Sequence, residues 1–390
     1  MKAPRQFSAF ESTTQLLHSS KLHSLPRFMP RHLRGAVCGI GLVALSLGSS
    51  VAIGEPILPP TSTVASTVPN RGDVNPYGIA FVPSGVPSWS TLSPGDVVVS
   101  NFNAASNKQG TGTTIVKLVT DSKPVAFFQG QNLGLTTALA VLKSGFVLVG
   151  NLPTTNGTNI RPPGSLLVIN PQGKLVGELK DSTLLDGPWD MTVAIDQGPR
   201  VTAFVSDVLN GTVARIDINI GDSGAMLSGS SHIIASGYAH RTDPAALVVG
   251  PTGLAYDAPH DVLYVASTGD NAVFAVSGAL ALKHDGGMGR LIYQDNTHLH
   301  GPLALALAPN GDLVTANGDA VNPPDPQHSS EIVEFTPGGT FIAQMQVDPA
   351  AGAAFGLAFG LSSSGQSQFA AVNDSTNTAT VWTLRPSSGN

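Results

Sequence analysis

This chain is short of cysteine, charge, aromatic residues and long amphipathic runs, and each shortage closes off a class of protein. Its one cysteine, Cys38, sits in the N-terminal segment, so the rest of the chain has neither disulfides nor thiolate chemistry. Charged residues are 12% of the 390, and no stretch after residue 54 keeps a helical apolar period for more than two turns. A basic stripe is missing as well. Residues 1–54 carry six Lys or Arg and one acidic residue, which leaves 14 basic against 25 acidic residues in the body. Such a balance argues against nucleic acid as a partner. There is no Gly-x-Ser-x-Gly where a strand would turn into a helix, and no phosphate-binding glycine loop. Gly221-Asp222-Ser223-Gly224 and Gly286-Gly287-Met288-Gly289 read as turns with no helix behind them.

What the chain does have is glycine (43), proline (29) and a pattern that recurs six times. A strand of small apolar residues is followed by an apolar strand ending on Asn, Asp or Ser. The first strands centre on Ile79, Leu139, Met191, Leu254, Leu305 and Leu357, 51 to 63 residues apart. Short strands and Gly/Pro turns repeating at that interval predict an all-β, six-bladed β-propeller with four antiparallel strands per blade. The blades run over about 74–130, 131–181, 182–238, 239–296, 297–348 and 349–384. The last lacks an outer strand, because 385–390 is too short and polar to supply one. Thr63–Val68, within a Pro/Ser/Thr-rich tether over 55–72, is the expected donor, closing the ring and hiding its edges.

The N-terminus reads as an address. An uncharged run from Gly35 to Leu47 follows Arg27, Arg31 and Arg34, and small residues come after it at Ser50, Ala52 and Gly54. Residues 1–54 are therefore expected to be an export signal, with Met29 a better-placed start, and the body is expected in a periplasmic or extracellular space. An uncleaved anchor over Gly35–Gly54 is the alternative, since that length can span a bilayer.

The unit Gly301-Pro302-Leu303-Ala304-Leu305-Ala306-Leu307-Ala308-Pro309-Asn310-Gly311-Asp312-Leu313-Val314-Thr315-Ala316-Asn317 resembles an NHL repeat, and Gly250–Tyr256 with Leu263–Ser267 is similar. The repeat is also distantly similar to the gluconolactonase/regucalcin propellers. That resemblance implies a metal-dependent lactonase with one divalent ion on the axis, held by a Glu and Asn or Asp side chains where inner strands begin. Here those positions read Tyr77, Thr137, Trp189, Thr252, Leu303 and Phe355, none of them an expected metal ligand.

Candidate site residues follow from strand direction. Asn101, Asn151, Asp207, Ser267, Asn317 and Asn373 end the second strands, so they should ring one mouth of the channel, either as a binding rim or as strand-end caps. Trp189 and Asp190 enter the same mouth, and Arg241 lies on a longer link with Asp243. His298 and His300 alternate on one link and, with Asp207, His328 or His240, are the metal candidates for a single Ca²⁺ or Zn²⁺. Long loops follow Asn101, Asn151 and Asn317, all on the ring face, where binding loops on a rigid scaffold belong. The reading is an exported, monomeric binding or scaffolding propeller for a protein, peptide, glycan or small molecule, meeting a membrane only through an uncleaved N-terminal segment. The alternative is a metal-dependent hydrolase or lyase with a rebuilt site.

Overall fold

The computed structural model describes residues 57, 62–221, 224–244, 246–318, 331–348 and 352–385. The chain divides into two units, Met1–Ala52 and Ile53–Asn390, and everything described belongs to the second. The expected export signal lies outside the described residues.

Six antiparallel sheets form the blades. Blade 1 is Val74–Phe81, Val97–Asn103, Thr114–Lys117 and Val125–Gln129, from inside outward. Blade 2 is Leu139–Val141, Val147–Asn151, Ser165–Ile169 and Leu175–Leu179. Blade 3 is Pro188–Gln197, Arg200–Asp207, Thr212–Gly221 and His232–Ser236. It adds a fifth strand, Gly224–Leu227, on the end of its long third strand. Blade 4 is Pro251–Asp257, Val262–Ser267, Ala272–Ser277 and Arg290–Tyr293. Blade 5 is Pro302–Leu307, Leu313–Asn317, Glu331–Phe335 and Phe341–Gln346. Blade 6 is Ala354–Leu361, Ser367–Asn373 and Thr378–Thr383, completed by Ser62–Ser66. Each inner strand packs on its two neighbours, so the ring is closed.

The closing strand is the one expected, one residue earlier than Thr63. Ser62–Ser66 pairs with Thr378–Trp382, and Thr67 extends the joint by donating its N–H to the carbonyl of Asn377 at 3.0 Å. The described residues of the second unit thus include the strand that closes its ring.

The sequence of each strand follows its radius. Second strands are sandwiched between neighbouring blades, and Val97–Asn103 and Leu313–Asn317 are buried at every position, which is why they are near-continuous apolar runs. Inner strands crowd the axis. A Cβ on Gly356 would lie 1.9 Å from the Tyr77 carbonyl oxygen, and one on Gly253 2.3 Å from the Leu305 nitrogen, so only glycine fits. Five of the inner strands carry a bulge near their start, for example between Pro76 and Ile79 and between Pro188 and Met191. Second-strand hydroxyls stitch these bulges to the next blade. Ser206 Oγ accepts from Asp190 N at 3.0 Å and donates to the Thr252 carbonyl at 2.7 Å; Ser100 does the same between Gly78 and Thr136.

Candidate functional site at the channel mouth

Register places the ring residues at one mouth, as strand direction requires. Asn101, Asp207, Ser267, Asn317 and Asn373 lie opposite Pro76, Pro188, Pro251, Pro302 and Ala354, the first residues in or next to each inner strand. The side chains of this ring bond within the fold, except that Asn101 Oδ1 is buried without a hydrogen-bond partner. Asn151 Oδ1 accepts from Gly134 N at 2.7 Å, and Asn317 Oδ1 from His300 N at 2.9 Å while its Nδ2 donates to the His298 carbonyl. Asp207 accepts from Asp186 N, Leu209 N and Asn210 N, and Asn101 Nδ2 donates to the Thr67 carbonyl at 2.8 Å. Asn373 bonds Asp348 and Thr376 N. In blade 4 the tie passes through Asp270, which takes the Ser267 hydroxyl and the Ala239 N–H. Each ring group thus fastens the end of its strand to the link entering the same blade or to the closing segment, which is the strand-end cap among the two roles its position allows.

Inside the ring the mouth is filled. Tyr77 from blade 1, Trp189 from blade 3 and Phe355 from blade 6 converge, with Phe102 against Tyr77. Tyr77 stacks on Phe355 at 5.0 Å and meets Trp189 edge-on at 5.5 Å; the Trp189 indole N–H donates to the Tyr77 hydroxyl at 2.5 Å. Burial raises the Tyr77 phenol well above its ordinary value. Over this plug lie two hairpins that sequence reasoning did not see, Thr154–Thr155 with Asn159–Ile160 and Arg241–Asp243 with Leu247–Val249, whose Ile160, Leu247 and Val248 join the same apolar cluster. Arg241 is half exposed and lies 3.7 Å from Asp243.

One charged group lies beneath the plug. Asp190 lines an axial cavity of ≈ 30 Å³ together with Tyr77, Thr137, Leu139, Leu303 and Leu357. Its carboxylate accepts from Met191 N at 2.8 Å and, across the blade seam, from Leu254 N at 2.9 Å. Desolvation outweighs those two bonds and pushes its pKa up to about 7. Asp207 is also raised by burial, against four backbone bonds, and Asp186 by burial and the Asp207 charge. The cavity has room for about one water.

The metal candidates do not meet. The His298 ring stacks on Phe341 at 3.9 Å and bonds Asp295 through Nδ1, whereas His300 is buried in the link next to it. His240 Nδ1 contacts the Tyr238 carbonyl, and His328 lies outside the described residues. Among the described residues no group of three or more His, Cys, Asp or Glu side chains is placed to hold a metal ion. At the inner-strand starts, where the lactonase resemblance implies a divalent ion, stand Tyr77, Thr137, Trp189, Thr252, Leu303 and Phe355. They offer hydroxyls but no carboxylate, and four of them, Tyr77, Trp189, Leu303 and Phe355, pack in one apolar cluster, so this set does not supply the about six to eight oxygens a Ca²⁺ ion takes.

The loops beyond the ring are ordered against one another. Thr154 Oγ1 donates to the Gln109 carbonyl at 3.0 Å, and Asn103 bridges Asn107 and Gly110, so the loops after Asn101 and Asn151 form one ledge beside the plug. Most of the loop after Asn317 lies outside the described residues.

Comparison with solved structures agrees on the fold, a six-bladed β-propeller. The chain is similar to a gluconolactonase from Xanthomonas campestris, at 12% identity over 84% of this chain and 91% of that one, with a TM-score of 0.51. It also matches a calcium-binding regucalcin from Agrobacterium tumefaciens (12% identity, 83% and 95% covered, TM-score 0.49) and a luciferin-regenerating enzyme (11%, 84% and 96%, 0.48). At these identities the likeness is one of fold. No protein-family model matches the chain, the NHL repeat included. No curated protein matches it either.

Proposed function

We propose that this protein is an exported binding propeller, taking a peptide, glycan or small-molecule ligand on the ledge formed by the loops after Asn101 and Asn151. The observation that carries this reading is the plug. Tyr77, Trp189 and Phe355 occupy the axial mouth where a metal-assisted enzyme of this architecture would need an open set of oxygen donors. The ledge is polar, partly exposed and held by its own hydrogen bonds, so it presents groups without an ordering cost. Glycan and peptide arrays probed with the labelled protein test this. Binding that disappears when Lys108, Gln109 and Asn156 are replaced by Ala supports the ledge; binding that survives those changes overturns it.

A hydrolase or lyase is the second reading, and the neighbours lean toward it, since one of them is a gluconolactonase. Its support in this chain is Asp190, a carboxyl poised near neutrality on the axis. It requires the plug to swing aside, because ≈ 30 Å³ admits no lactone ring. Lactone or ester hydrolysis that Asp190→Asn abolishes, in a variant that keeps its fold, would install this reading in place of the first.

A further inference from the structure

Beside the ledge, the ring end of blade 1 opens into a pocket of ≈ 510 Å³ lined by Arg71, Thr113, Gln129, Gly130, Gln131 and Asn132. Here the chain enters the inner strand at Val74, enters the third strand at Thr114 and leaves the outer strand at Gln129. The volume is that of a small-ligand site. Apart from Gly130 every lining residue is polar, and Arg71 is the one charge among them. Its guanidinium is held rather than loose. Gln129 Oε1 accepts from Arg71 Nε at 2.7 Å and from Nη1 at 2.9 Å, in the amide orientation that satisfies both groups. A neutral acceptor thus fixes one edge of the fork and leaves its charge uncancelled.

The pocket continues into the ledge. A Cβ on Gly72 would lie 3.3 Å from the Ala105 Cβ, and one on Gly157, at the hairpin tip, 2.8 Å from the Gln109 nitrogen. Arg161 closes the series, its Nε donating to the Thr154 carbonyl at 3.2 Å, again a neutral acceptor. Segments 69–73, 102–113, 129–134 and 152–164 together carry Arg71, Lys108 and Arg161 against one carboxylate, Asp73. Asp73 is 5% exposed, and its Oδ2 takes the Thr113 N–H and the Thr113 and Thr114 hydroxyls, so it faces the strand. Among the described residues the Lys and Arg ion pairs are those of Lys117, Lys180, Arg215 and Arg241; these three cations form none. Three unpaired cations on a body of 14 basic and 25 acidic residues make a local attractor for anions. Around them Gln131, Asn132, Asn156 and Thr158 are exposed, and none of the large exposed hydrophobics lies on these segments.

We propose that this face binds an acidic glycan, with a uronate carboxylate on Arg71 in the pocket and further carboxylates of the same chain on Lys108 and Arg161. A planar guanidinium held at one edge matches a planar carboxylate at the other. Exposed amides and hydroxyls both donate and accept, as sugar hydroxyls require. A peptide would instead look for an apolar or aromatic anchor, which these segments do not expose. The assignment rests on the ledge being the binding surface and adds the chemistry of what binds there.

The full-length protein is titrated calorimetrically with oligogalacturonate, oligomannuronate and a hyaluronan oligosaccharide. Methyl-esterified oligogalacturonate, a neutral malto-oligosaccharide and oligoglutamate serve as comparators. At least one uronate should bind, about tenfold or more tighter than the ester and the neutral sugar, and its affinity should fall as salt rises. Arg71→Gln should weaken that binding about tenfold or more with Tm unchanged, and Arg71→Lys should recover only part of it, because a point charge lacks the fork. Failure of all three uronates to bind overturns the proposal, as does equal binding of the ester, or uronate binding that survives both Arg71→Gln and Arg161→Gln. Oligoglutamate binding as tightly as the uronates would make the ligand an acidic peptide instead. If no uronate binds while a neutral glycan does, and the alanine changes at Lys108, Gln109 and Asn156 abolish it, the ledge stands and only its acidic specificity falls.

Discussion

The two ends of this propeller look alike in outline and are built by opposite rules. At the ring end polar side chains abound, yet Asn151, Asp207, Asn317 and Asn373 are buried and bonded within the fold, and aromatic rings close the hole between them. At the far end Trp89 on the 82–96 loop and Val125, Leu175 and Met226 on strands stand in contact with solvent. The features that repeat in every blade serve the ring, because six equivalent strand ends have the same capping problem. The features that break the repeat are the ones left over for function: the 82–96 loop, the fifth strand of blade 3 and the two capping hairpins.

The hardest way to break the comparison is to open the ring. Deleting residues 55–70 removes the outer strand of blade 6, the Thr67 carbonyl that Asn101 donates to and the Thr67–Asn377 joint, and exposes the edge of Thr378–Thr383. A fall in Tm of about 10 °C or more, read by calorimetry, is expected from the loss of several kcal/mol. An unchanged melting curve would mean that closure contributes nothing. Next in size is the plug. Trp189→Ala should cost roughly 3–5 kcal/mol, the usual penalty for emptying a large buried aromatic site, and chemical denaturation measures it. A small loss would mean that the mouth is loose, which favours the enzymatic reading.

Asp190 sharpens the contrast through pH. Its carboxyl is raised from 3.8 to about 7 in the folded state, so between those values the folded protein holds a proton that the unfolded chain has released. Stability from this group is therefore complete below pH 4, declines as pH rises, and levels off above about 7. The slope is at most about 1.4 kcal/mol per pH unit. Asp186, Asp207, Asp312 and Glu334, also raised, push the same way, and Asp217 and Asp295, lowered, push back. Asp190→Asn should flatten the curve between pH 4 and 7 without abolishing the slope. The slope is the informative quantity, since the carboxamide places an N–H against one of the two backbone donors and lowers stability at every pH.

The fold was legible because a propeller writes its period into composition. Gly356 and Gly253 are glycine because the next blade's backbone lies where a side chain would be, and such positions recur in register with the Asx-ended strands. The missing outer strand was legible by counting. The ring residues were legible as a ring, but the partners that consume them were not: Thr67 reaches Asn101 across 34 residues, and Tyr77 reaches Trp189 across 112. Trp189 alone admits ligand contact as well as packing, the commoner role of a tryptophan at such a position. Only the convergence of three blades on one point decides between them, and no local spacing encodes it. His298 and His300 alternate on one segment, where the His298 ring stacks on Phe341 and bonds Asp295 while the His300 N–H donates to Asn317 Oδ1, partners that no local spacing encodes.

The smallest effect completes the comparison. Trp89 and Trp189 are the same residue type at opposite ends of the axis, one 62% exposed on a pinned loop and the other 6% exposed in the plug. Loop 82–96 is held by Ser90, Thr91, Val86 and Leu92, none of which needs the indole. Trp89→Ser should therefore change stability by no more than about 0.5 kcal/mol, the range of ordinary surface substitutions, and leave Tm within about 1 °C. A tryptophan that contributes nothing to the fold and still stands free in water is retained at a cost in solubility. If Trp89→Ser instead lowers Tm by several degrees, the indole is part of the packing at that end, and the contrast between a structural end and an available one fails at its clearest residue.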